Sequence, residues 1–291
     1  MVGAVSGPMR AAAKSARLGL VHGLLFALAL HAPSPGAAQT PQPAALRLAV
    51  AAVGGLVLCG TWPHYARRIE RALGIGIDTV SVGNKEVVVP AFEEGRATLL
   101  LIHGSDASFA LLAKGAAAPL RAWGANEHVI VGPPDDPAKV GDASSAVDAM
   151  RRIAAARAPF VAFRDPGSHS VVEGLWREGG VRAGAWVLPD RSGKSQEILL
   201  QAAGQRAYAV VGRIPVAFNK MPHGDLKVLL SGDPDMRRVY VAIEPGAGHP
   251  AAQQQRMLAK RVVDYMVSPA GQADLRAADK EAGGPWIYPL P

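Results

Sequence analysis

Uninterrupted apolar runs, alternating with segments of helical spacing, constrain this chain more than any other feature of its sequence. A run such as "ATLLLIHG" (Ala97–Gly104) shows no polar alternation, so a strand made from it must be covered on both faces. Helices crossing over a largely parallel sheet supply that cover. "LRLAVAAVGG", starting at Leu46, ends in paired glycines and leads into "HYARRIERALG", which has helical spacing and a stop at Gly74. "IDTVSVG" reads as a second strand, "EVVVPAFEEG" as a helix start, "ATLLLIHG" as a third strand and "SDASFALLAKG" as its helix. A second series opens with the strand "EHVIVGPPDDPAKV", broken by a proline-rich turn, and the helix "ASSAVDAMRRIAAA", begun by Ser144 or Ser145. The strands "APFVAF", "AYAVVG" and "LKVLLSG" and the helices "SHSVVEGLWREGG" and "SQEILLQAAGQ" continue it; "RRVYVAIEPG" and "AAQQQRMLAKRVVDYMVSPAGQADLRAA" close the chain. The expectation is an α/β fold of two units joined by extended segments near Val129 and Val239.

The N-terminal residues read differently. Arg10, Lys14 and Arg17 precede the apolar run "LGLVHGLLFALAL" (Leu18–Leu30), and small residues follow at Gly36 and Ala38. This is the pattern of a secretory signal peptide over residues 1–38, cleaved after Ala38. Thirteen apolar residues fall short of the roughly 20 that span a bilayer. Export to the periplasm is therefore expected, with residues 39–45 as a linker. The single cysteine, Cys59, cannot form an internal disulfide, and a large exported domain does not need one.

The 291 residues are 49% hydrophobic and 19% charged, a globular composition. Three of the seven net positive charges leave with the leader, so the mature chain carries about +4. Scattered Lys and Arg, with only 5% aromatic residues, exclude a basic stripe with stacking platforms, and no nucleic-acid partner is expected. A mild positive charge fits a small anionic ligand, or solvation of the surface alone.

In open α/β sheets, ligands bind where strands end and loops open helices. "AVGGL", "IHGSD", "FRDPGSHS" and "SGKSQ" are the candidate loops. At "FRDPGSHS", Gly167, Ser168 and His169 offer helix-start N–H groups to an anion, with Arg164 adding charge. The competing reading is that Asp165 or Ser168 caps the helix and Arg164 pairs with a nearby carboxylate. Enzyme chemistry finds little support. Ser168 and His169 are adjacent on a helix and diverge, His103 has no evident nucleophile partner, and GxSxG, HExxH, CxxC, GxGxxG and P-loop patterns are absent. No catalytic residue, metal or cofactor is expected.

The stretches "LLLIHG" (Leu99–Gly104), "HVIVGPPDDPA" (His128–Ala138), "APFVAFRDPGSH" (Ala158–His169), "RAYAVVGR" (Arg206–Arg213) and "YMVSPAGQ" (Tyr265–Gln272) resemble the periplasmic tungstate-binding proteins of ABC importers, within the type II periplasmic solute-binding proteins. The resemblance runs from about Leu46 to Leu275. It implies a two-lobed α/β fold, each lobe a mostly parallel sheet flanked by helices, with a two-segment hinge. Lobe 1 would comprise residues 46–128 and 233–282 and lobe 2 residues 129–232, leaving 283–291 as a C-terminal tail. It also implies a monomer that holds an oxyanion of the tungstate or molybdate type between the lobes and presents it to an ABC transporter membrane permease. Carried over by position and joined to the loop reading, the ligand-binding set is Gly54, Gly55, Ser105, Arg164, Gly167, Ser168, His169, Ser195 and Arg213. The chain departs from the family at "VAAVGGL", where a hydroxyl-rich turn is expected, at the shortened turn carrying Pro166, and at Ile198 and Pro215, where the family has threonines. These departures leave room for another small anion, such as a carboxylate, or for a sensory or accessory role.

Overall fold

The computed structural model describes residues 46–290; the leader expected over residues 1–38 and the linker over 39–45 lie outside the described residues. β1 (Arg47–Val53) is buried from Val50 onward and runs parallel to both β2 (Gly76–Gly83) and β3 (Leu99–His103). The short α1 (Gly54–Leu58) and then α2 (Thr61–Leu73) return the chain between β1 and β2. In α2 the buried residues Trp62, Tyr65, Ala66 and Ile69 recur at helical spacing, so one stripe faces the core. Gly74 ends this helix in the left-handed region, φ 65°, with its N–H on the Glu70 carbonyl at 2.9 Å. α3 (Lys85–Glu93) and α4 (Asp106–Ala113) follow β2 and β3.

β4 (Arg121–Gly132) leaves this first lobe and enters the second. There α5 (Ala146–Ala156) is capped by Ser145, whose hydroxyl accepts from the Asp148 N–H. β5 (Phe160–Ala162), α6 (Pro166–Gly179), β6 (Val187–Pro189), α7 (Ile198–Gly204), β7 (Ala209–Gly212), α8 (Arg213–Ala217) and β8 (Lys227–Leu230) complete that series. β9 (Arg237–Ile243) carries the chain back, and α9 (Gln253–Met266) and α10 (Pro269–Glu281) pack on the first lobe.

The main sheet has the order β2-β1-β3-β9-β4-β7, with β8 also beside β4, while β5 and β6 form a separate parallel pair. It is mixed, where the sequence suggested mostly parallel sheets. β3 with β9, and β4 with β7, β8 and β9, are antiparallel. The cause is topological: the chain crosses into the second lobe once and returns once, so its two crossing strands must run in opposite directions. Arg121–Glu127 of β4 pairs with β9, and His128–Gly132 pairs with β7 and β8. β4 changes partner from β9 to β7 between Glu127 and His128.

Side-chain alternation along β4 sends Ile130 to one face of the second lobe, with Met150, Phe160 and Tyr208, and Val129 and Val131 to the other, with Val161, Leu199 and Val211. The first-lobe core gathers Trp62, Tyr65, Leu100, Trp123, Tyr240 and Val262. The "SPAGQ" stretch is structural. Ser268 caps α10 by accepting from the Gly271 N–H at 3.1 Å, and a Cβ at Gly271 would lie 1.9 Å from the Tyr265 carbonyl oxygen. The segment after residue 282 belongs to the same core: Ile287 is 1% exposed and Tyr288 bridges Ala125 of β4. The buried Asp279 carboxylate holds it, accepting from the Thr61 hydroxyl and the Trp286 and Ile287 N–H groups.

Candidate functional site

The crossing strands and the β1 turn enclose a cleft of about 520 Å³ between the lobes. From the first lobe come Val53, Gly54 and Gly55 at the end of β1, Gly83 and Asn84 at the end of β2, and His103 at the end of β3. Asn126 and His128 enter from β4 and Arg238 and Tyr240 from β9. Phe163, Asp165, Ser168, Ser195, Gln196, Ile214, Pro215, Lys220 and Met221 close it from the second lobe. On each crossing strand the contributors are two residues apart, so pleating aims both at the cleft.

His103 Nε2 lies 2.9 Å from Asn126 Oδ1, and the imidazole stacks on Tyr240 with ring centroids 4.1 Å apart. Tyr240 and His128 are 0% and 3% exposed, yet the Tyr240 hydroxyl and His128 Nδ1 have no hydrogen-bond partner. Burial, reinforced by the Arg238 charge, pushes His128 down to about 4 and His103 well below its ordinary range. Both imidazoles are therefore neutral at pH 7, and Tyr240, raised by burial, stays protonated. Arg238 is lowered by burial and supported by the charge of Asp165, but an arginine remains a cation throughout the working pH range.

Of the residues expected at the ligand, Gly54, Gly55, Ser168 and Ser195 line the cleft. A Cβ at Gly55 would sit 3.8 Å from the Tyr240 hydroxyl, which leaves a bare wall in front of that oxygen. Gly167 lies against the Arg238 guanidinium: a Cβ there would meet Arg238 Nη1 at 1.8 Å. The N–H groups of Gly167 and Ser168 do not face the cleft as a free seat. Asp165 Oδ2 accepts from both at 3.0 Å and caps α6, while the His169 N–H bonds the Asp165 carbonyl. An aspartate immediately before Pro166 is well suited to that cap.

Five expected residues do not line the cleft: Gly167, held against Arg238, and four others. Arg164 turns outward, its Nη2 donating to the Ser192 carbonyl at 2.8 Å and its Nε lying 3.7 Å from Asp190. His169 pairs with Glu173 at 3.0 Å on the exposed face of α6. Ser105 serves the start of α4, where its N–H bonds Ser108 Oγ and its hydroxyl the His103 carbonyl. Arg213 is taken by the hinge: Nη1 donates to Glu127 Oε1 at 2.5 Å, and the 1%-exposed Glu127 also accepts from the Gly232 N–H. Among the cleft-lining residues, sequence reasoning missed Arg238, Tyr240, Asn126, Asn84, Gln196, Lys220 and His128. For Arg238 and Tyr240 the period-2 spacing within "RRVYVAI" was the available signal.

Crossing strands, two lobes and a cleft between them define a type II periplasmic binding-protein fold. Known structures agree. The tungstate-binding protein TupA from Desulfovibrio alaskensis superposes with a TM-score of 0.66 at 25% identity, over 84% of this chain and 99% of that one. The tungstate ABC transporter protein from Geobacter sulfurreducens gives a TM-score of 0.62 at 23% identity, over 79% and 98% of the two chains. A Haloferax volcanii protein, named provisionally as an ABC transporter anion-binding protein, is 32% identical over 146 residues, which is 50% of this chain but 42% of that protein. These relatives are transport binding proteins and not enzymes. No family model matches the chain.

Proposed function

We propose that this protein is the extracytoplasmic solute-binding protein of an ABC importer, exported by the leader over residues 1–38, and that it holds a small anion in the interlobe cleft. The observation that carries this reading is the Arg238 guanidinium in the cleft, beside a buried hydroxyl and a buried imidazole nitrogen that have no partner within the protein. An anion accepts from the guanidinium and the Tyr240 hydroxyl. Closure of the lobes about the β4 and β9 crossings then dries the site and strengthens each bond. The protein acts as a monomer, and the closed form is what a membrane permease recognises. Among the described residues no helix is long and apolar enough to cross a membrane.

The sequence resemblance and the neighbours' ligands favour an oxyanion of the tungstate or molybdate type. A second reading, a carboxylate taken by a ligand-divergent transport or sensory module, is favoured by Asp165, which occupies the helix start that an oxyanion would use. The test is thermal unfolding of the mature chain with tungstate, molybdate, sulfate and a panel of carboxylates, each at 1 mM. A ligand with micromolar affinity stabilises by about 4 kcal/mol under these conditions, which raises the melting temperature by roughly 8 to 16 °C. Absence of a shift with every anion would overturn the anion-binding reading.

A further inference from the structure

Asp165 is the one acid among the residues lining the cleft, and an anion-binding site has no use for a second negative charge unless the solute brings a proton to it. Capping α6 does not account for that charge, because Ser, Thr or Asn would cap as well. Nor does the cap use the whole carboxylate. Oδ2 accepts from both the Gly167 and Ser168 N–H groups at 3.0 Å, while among the described residues nothing donates to Oδ1. The neighbouring cations leave it free too. Arg238 rests on the turn that Asp165 caps, since a Cβ at Gly167 would meet its Nη1 at 1.8 Å. Lys85, the first residue of α3, directly follows the cleft residues Gly83 and Asn84 and is half-buried. Burial and the Arg238 charge lower it, and the Asp165 charge raises it. Among the described residues neither cation makes an ion pair or a side-chain hydrogen bond. Arg238, Asp165 and the buried, unpartnered Tyr240 hydroxyl therefore border one cleft, with Lys85 beside it.

An ionised carboxylate only accepts hydrogen bonds. Sulfate, tungstate and molybdate, fully deprotonated at neutral pH, also only accept, so placing one of their oxygens against Oδ1 sets two acceptors face to face with no proton between them. Hydrogen phosphate has the same tetrahedral shape and, in mildly alkaline solution, the same charge as sulfate, but its P–O–H can donate. A 2-hydroxycarboxylate combines the same two functions, charged oxygens and an adjacent O–H. We infer that the cleft selects an anion that carries its own hydroxyl proton, its charged oxygens on Arg238 and the Tyr240 hydroxyl, its O–H on Asp165 Oδ1, and its charge offset further by Lys85 at the start of α3. This rests on the anion-binding reading above and names the class of solute that the same site selects. Asp165 is the residue that sets specificity, because a site built to receive an O–H is left with an unpaired acceptor by an analogue that lacks one.

The test is calorimetric titration of the mature chain, in mildly alkaline buffer, with tungstate and two matched pairs: hydrogen phosphate against sulfate, and glycolate against acetate. In at least one pair the member with the O–H is expected to bind more tightly, by roughly 10- to 150-fold. Which pair responds distinguishes a protonated oxyanion from a hydroxy acid. Asp165→Asn preserves the cap and replaces the free acceptor by an amide, so it should shrink that ratio at least about tenfold. A ratio of two ligands on one protein is not moved by a general loosening of the site, and the wild-type pairs decide alone if the variant does not fold. Equal or tighter binding of the member without the O–H in both pairs, or a ratio unmoved in Asp165→Asn, overturns the inference and leaves the anion-binding reading standing. So does tungstate binding more tightly than hydrogen phosphate and glycolate. No heat with any of these anions, in the wild type or in Asp165→Asn, defeats both.

Discussion

Acidification is expected to destabilise the protein through its buried histidines before the carboxylates titrate. His128 is 3% exposed, and burial together with the Arg238 charge holds it at about 4 in the folded protein, against about 6.5 in an unfolded chain. The unfolded state therefore binds the proton first. The stability that neutral His128 contributes is complete above about pH 6.5 and is lost as the pH falls from there toward 4. Each pH unit inside that window costs about 1.4 kcal/mol, so His128 alone removes about 2 kcal/mol between pH 7 and pH 5. For a chain of this length that corresponds to a melting temperature lower by about 4 to 8 °C. His103 and His249 are lowered as well, chiefly by burial, and add to the slope in the same direction. Urea midpoints at half-unit steps from pH 7 to pH 5, on the wild type and on His128→Gln, isolate the His128 share. Parallel lines for the two proteins would refute the reasoning, because removing the titrating group must flatten the dependence.

Four further outcomes follow from the packing. Asp279→Ala leaves the Thr61 hydroxyl and the N–H groups of Trp286 and Ile287 without their acceptor; a loss of about 2 to 5 kcal/mol is expected in chemical denaturation. Arg213→Met strips the 1%-exposed Glu127 of its counter-charge and should cost about 3 to 5 kcal/mol, whereas Arg164→Gln, on a half-exposed side chain, should stay within about 0.5 kcal/mol and leave anion titrations unchanged. Gly271→Ala drives a Cβ onto the Tyr265 carbonyl, 1.9 Å away, and should lower stability by about 3 kcal/mol or prevent folding, read from soluble yield and the urea midpoint.

Element positions were largely legible because each leaves a local trace. The Gly74 stop, the Ser145 cap and the continuous apolar strands are written in consecutive residues. Strand sense was not, because antiparallel pairing of β4 with β9 joins segments separated by most of the second lobe, and periodicity does not name a partner. Within the site, the glycines ending β1 and the serines Ser168 and Ser195 were placed at the cleft because they follow strand ends. Arg164 and Arg213 were expected there for their charge, but each had a nearer acceptor, Ser192 and Glu127, that only the tertiary structure reveals. Arg238 was passed over because an arginine pair at the start of a strand looks like solvated surface. "FRDPGSHS" held both of its readings open in the sequence, and the Asp165 cap decides between them.

The attachment of the last residues to β4 bears on when this protein becomes a folded object. Trp123, Tyr240 and Ile287 share one core with Leu48 and Trp62, so β1 and the segment after α10 are needed together before their lobe is sealed. Contacts that join the two ends of a sequence close slowly. The lobe that holds β1 is therefore completed late in folding, and so is the cleft that β1 borders.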